Sequence, residues 1–78
     1  AHKAQVRAAD ADVVLYLSDK ERQTKLAETN VASQARLEQS SRNLEAALRA
    51  REAAQANLDL AIAGASKEER AQARAKVE

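Results

Sequence analysis

The sequence predicts an all-α protein. It reads as a long antiparallel two-helix coiled-coil hairpin with helices over about 2–28 and 34–63, a tip near 29–33, a break at Gly64 and a third short helix over about 66–77. Three observations carry this. First, one glycine and no proline in 78 residues leave too few turn formers for a sandwich, barrel or propeller, while Ala, Glu, Lys, Leu and Arg dominate. Second, small and aliphatic residues recur at near-heptad spacing in two long stretches. Third, the link between those stretches is only four to five residues long, which makes two amphipathic helices antiparallel neighbours.

The first helix places Val6, Ala9, Val13, Tyr16 or Leu17, Lys20, Thr24 and Ala27 inward. Glu21 and Lys25 are spaced to support it as an i,i+4 pair. At its end Asn30 is the residue that replaces glycine in a left-handed helix stop, with Leu26 and Val31 making the hydrophobic contact of a Schellman motif. Ser33 is then the N-cap of the second helix.

In the second helix the seam is Leu37, Ser40 or Ser41, Leu44, Ala47 or Leu48, Arg51, Ala54, Leu58 and Ala61 or Ile62. Arg51 stands where an aliphatic residue is wanted, so it is expected to snorkel or pair between neighbours. Glu38–Arg42 and Glu45–Arg49 brace the outer face in the favourable orientation. Thirty such residues reach about 45 Å, which makes the object a rod. Gly64 closes this helix, and Ser66 with Glu69 forms a capping box that opens the third stretch. That stretch either continues the rod after a kink or turns back along it. Its inward set, Ala71, Ala75 and Val77, is weak.

Twenty alanines against fourteen Leu, Val and Ile residues allow close helix approach, near the 8 Å end of the usual range, but bury little apolar area. Modest stability, or support from self-association, is expected.

Chemistry-bearing groups do not converge. Asp10 and Asp12 are two apart and face different sides of a helix. Glu68 and Glu69 are first-turn acids of the third helix. His2 sits at a fraying end, and one histidine without cysteine builds neither a metal site nor a triad. No enzyme activity, cofactor or metal is expected. A net charge of +1 and a single aromatic, Tyr16, offer nucleic acid neither a basic stripe nor a stacking platform. No stretch of about 18 apolar residues exists, so no membrane insertion by this segment is expected.

The tip is more specific. Arg22, Leu26 four residues on and Ser33 seven further on span the turn, and Ser33 lies within the stretch Val31-Ala-Ser-Gln-Ala-Arg-Leu-Glu-Gln39. This resembles the hairpin tip of periplasmic adaptor proteins, also called membrane fusion proteins. The stretch Leu60-Ala-Ile-Ala-Gly-Ala-Ser-Lys-Glu-Glu-Arg70 is similar to the glycine-containing break in the HlyD-like branch, although Arg70 replaces the aliphatic residue common there. Many relatives carry glycine where this chain has Asn30.

The resemblance implies that residues 1–78 are the α-helical hairpin domain of a larger adaptor whose biotinyl-lipoyl-like, β-barrel and membrane-proximal parts lie outside it. Arg22, Leu26 and Ser33 would dock on a TolC-like outer-membrane channel. The missing domains would engage an inner-membrane transporter, of the ABC type in several relatives. Hairpins would self-associate side by side, as a hexamer in the full assembly. The location would be the periplasm, with the full-length protein anchored to the inner membrane. The rival reading is a structural coiled-coil or helical spacer without tip-specific docking. The absence of repeats of fixed length counts against it.

Overall fold

A computed structural model describes the backbone of residues 1–30 and 33–77 and the side chains of 1–30 and 33–75. It contains two helices, α1 (His2–Thr29) and α2 (Gln34–Val77), packed against each other as an antiparallel hairpin. The molecule measures 73 × 14 × 14 Å. The start of both helices and the end of α1 fall where the sequence places them, within a residue.

The end of α2 does not. It runs unbroken for 44 residues through Gly64, so the expected break at Gly64 and the separate helix over 66–77 are absent. Glycine in a helix interior costs about 1 kcal/mol relative to alanine, a penalty one residue can impose without stopping a helix. Here it is flanked by Ala61, Ile62, Ala63, Ala65, Lys67 and Glu68. Gly64 has no positive φ, and a methyl added there would meet nothing within 4 Å. Neither backbone geometry nor packing therefore requires glycine at this position. Ser66 and Glu69 lie inside the helix and are exposed. They form no capping box, because a cap needs free N–H groups at a helix start.

The tip is also built differently from the expectation. Asn30 closes α1 with φ −145° and ψ 109°, an extended conformation and not the left-handed one. The end of α1 is satisfied in two other ways. The Thr29 hydroxyl donates to the Leu26 carbonyl at 3.3 Å, taking up one of the carbonyls a helix end leaves free. The Ser33 N–H donates to the Asn30 carbonyl at 3.0 Å, drawing the chain into α2. Val31, and with it the expected contact to Leu26, lies outside the described residues.

The seam is thin and made of small side chains. Its buried members are Ala9, Ala47, Ser33 and Ser40, flanked by half-buried Val6, Val13, Tyr16, Leu37, Leu44, Ala54 and Leu58. Of the paired expectations, Tyr16, Ser40, Ala47 and Ala61 face inward, while Leu17, Leu48 and Ile62 stay at 44%, 43% and 52% exposure. Gln23 takes the inward position expected of Thr24, whose hydroxyl instead donates to the Lys20 carbonyl at 2.8 Å. The shift by one residue is what a helix of 3.6 residues per turn does when it follows a seven-residue pattern without supercoiling tightly. Among the described residues no large side chain is fully buried.

Two polar pairs cross the seam. Arg51 Nε donates to Asp10 Oδ1 in an ion pair with both side chains about half exposed, at 49% and 47%. Ser40 Oγ stands 3.0 Å from Asp19 Oδ2 and 2.9 Å from the Arg36 carbonyl, so its one proton is shared between two acceptors. The seam arginine thus pairs within the hairpin. On the outer face Glu45–Arg49 and Glu38–Arg42 meet at 3.4 and 3.9 Å, as their spacing predicts, whereas Glu21 and Lys25 stay apart. Those surface pairs contribute little, being solvated and flexible.

The facing residues fix the stagger: partner numbers total about 60 along the seam. Ala1 therefore lies level with about residue 59. Everything in α2 from residue 62 to 75 is exposed and projects past the first residues of α1 as a single helix. Counted to the end of α2 at Val77, that overhang is about 24 Å long at 1.5 Å per residue.

Candidate functional site at the hairpin tip

The last two turns of α1 carry Arg22 and Leu26. They are four residues apart, so they stack on one side of the helix. Both are exposed, Leu26 at 44%. A leucine this open at the end of a rod, with a guanidinium one turn away, is an apolar contact point beside a planar donor that suits carboxylates and carbonyls.

Ser33 is elsewhere. It is 6% exposed and sits at the entry to α2 on the seam side. Its backbone N–H, bonded to Asn30, ties the two helices at the turn. The structure thus brings two of the three predicted tip residues to one outward surface and turns the third inward. The short polar side chain of Ser33 fits a buried place between the helices. A larger residue would push them apart.

One turn-proximal residue went unnoticed in the sequence. Gln23 Oε1 is shut off from solvent without a hydrogen-bond partner among the described residues. It lies one residue from Arg22, level with Leu37 in the observed stagger. Its sequence signal is faint: a polar residue three before Leu26 reads equally well as surface.

Away from the tip, the apolar exposure lies on the flanks of the hairpin. Leu17 is two turns beyond Asp10 on the same side of α1, level with Leu44. Exposed Leu48 is one turn further along α2, and Val14 (64% exposed) one turn back along α1. Leu15, 61% exposed and about 200° around the helix from Leu17, faces the other flank. Among the described residues no group of three His, Cys, Asp or Glu is arranged to hold a metal ion, and no helix is long and apolar enough to cross a membrane.

The fold is an elongated helical hairpin with exposed Arg22 and Leu26 near its closed end. Compared with protein-family models, curated proteins and solved structures, the chain finds no match in any of the three.

Proposed function

We propose that this chain is the α-hairpin of a periplasmic adaptor, bridging an inner-membrane transporter to a TolC-like outer-membrane channel in a tripartite export pump. The observation that carries the reading is the pairing of exposed Leu26 with exposed Arg22 on one face at the closed end of a 73 Å rod. Leu26 fills an apolar notch on the channel. Arg22 donates to carbonyl or carboxylate oxygens beside it. Ser33 serves the same contact from behind, by setting the turn that presents them. The resemblance of the Arg22–Leu26–Ser33 spacing to adaptor tips supplies the partner. The exposed leucines on both flanks suit lateral packing of hairpins into a tube, six in the full assembly, with the transporter engaged through domains outside this chain.

The test is docking itself. A photo-crosslinker at Leu26 in the full-length protein is expected to capture the channel, and Arg22→Asp and Leu26→Asp to abolish both capture and export. If both variants leave docking and export intact, the chain is a helical spacer and the proposal fails.

A further inference from the structure

The seam that joins the two helices has few bulky side chains with which to specify its own alignment. Buried Ala9, Ala47 and Ser40 present shallow holes and small knobs, and the half-buried aliphatics recur every seven residues. A hairpin slipped by one heptad therefore keeps most apolar contacts. In the stagger where facing numbers total about 67, Ala9 meets Leu58, Val13 meets Ala54, Val6 meets Ala61 and Gln23 meets Leu44. That arrangement also covers part of the helix that now projects alone beyond residue 61. The slipped state thus keeps much of the apolar seam, although it moves Tyr16 from Leu44 to Arg51.

The polar pairs distinguish them. Slippage in that direction carries Arg51 from Asp10 to the level of Tyr16 and Leu17, and leaves Asp10 near Leu58. It carries Asp19 from Ser40 to the level of Ala47. Both crossing pairs are lost, and Asp10 exchanges the Arg51 guanidinium for the neutral amide of Asn57, now level with it. Slippage the other way sets Asp10 beside Leu44 and Arg51 beside Lys3. Polar groups at seam positions are the usual means by which helix pairs select one alignment, because a wrong alignment strands them.

The link to the tip is geometric. Only residues 30–33 separate the helices. A heptad slip cannot be absorbed there without re-forming the turn about three residues later, between Ser33 and Gln34. Ser33 would leave its buried place, and its N–H bond to the Asn30 carbonyl would break. The seam alignment and the tip shape are thus one variable.

We propose that Asp10–Arg51 and Asp19–Ser40 form a register lock, holding the hairpin against a competing stagger one heptad away, and that releasing the lock rebuilds the tip about 30 Å from the Asp10–Arg51 pair. This stands apart from what the tip binds, since it concerns the chain alone.

The absence of native cysteine makes the test direct. In the full chain, Val13→Cys with Ala47→Cys reports the observed stagger, and Val13→Cys with Ala54→Cys reports the slipped one. With the lock intact only the first pair oxidises readily. Replacing Asp10 and Arg51 by Leu and Ser40 by Ala is expected to speed disulfide formation of the second pair by about tenfold or more, the scale of losing a hydrogen-bonded charge pair. Amide exchange at Ser33 should accelerate in the same variant. Exchanging the charges, Asp10→Arg with Arg51→Asp, should restore the first pair alone. If the leucine variant loses helicity, Asp10→Asn with Arg51→Gln and Ser40→Ala gives the same readout with less perturbation. A lock-free hairpin that still oxidises only the first pair, with Ser33 exchange unchanged, overturns the proposal.

Discussion

Gln23 shows how little the seam tolerates at the tip. Its side-chain oxygen is shut from water without a partner, the condition in which a polar atom forfeits hydration and receives nothing in return. Gln23→Met keeps the length and removes the polar atoms. It is expected to stabilise the hairpin by about 1 kcal/mol, seen as a rise of about 4–8 °C in the melting midpoint by circular dichroism. The opposite result would show that Gln23 finds a water or a partner in solution. Ser33 is the complementary case. Ser33→Leu should lower the midpoint, because a large side chain is forced into a site only 6% exposed. Sequence reasoning located Ser33 at the entry to α2 but did not show that its side chain is buried there. An N-cap assignment says where a residue sits along a chain and nothing about which side of the partner helix it meets.

At the scale of the element, α2 teaches the limits of local stop signals. Glycine followed by Ser-Lys-Glu-Glu reads as a stop and a fresh start, yet the helix continues. One glycine opposes a run of strong helix formers, and helix propagation is cooperative. Gly64→Ala is therefore expected to strengthen the overhang by about 1 kcal/mol, slowing amide exchange around residues 61–70 about fivefold without moving the hairpin's melting midpoint. The two helices themselves were legible because their small and aliphatic residues recur at heptad spacing and their outer charges pair four apart. The Asp10–Arg51 pair was not, since it depends on the stagger, and stagger is a property of two helices at once. In one helix Asp10 looks like any surface carboxylate.

At the scale of the molecule, the described pairing of α1 with α2 reaches from the tip to about Asp59, level with Ala1. Residues 62–75 are exposed on every side, so they contribute nothing to the pairing of α1 with α2. Ending the chain after Ala61 is expected to shift the melting midpoint by no more than about 3 °C, the range of a surface change. It should also shorten the particle by roughly the length of the overhang in small-angle scattering. A large loss of stability would mean that the overhang folds back on the hairpin.

The thinness of the seam has a mechanical meaning. No large side chain among the described residues is fully buried, so no central knot holds the two arms together. Each contact is supported by its neighbours toward the tip, where the loop to be closed is a few residues. At the open end the loop spans nearly sixty residues, and closing it is entropically dearer. Pulled apart at Ala1 and Asp59, the arms should separate like a zip, turn by turn at low force, with the tip parting last. The rod is stiff against bending along its axis and weak against peeling across it.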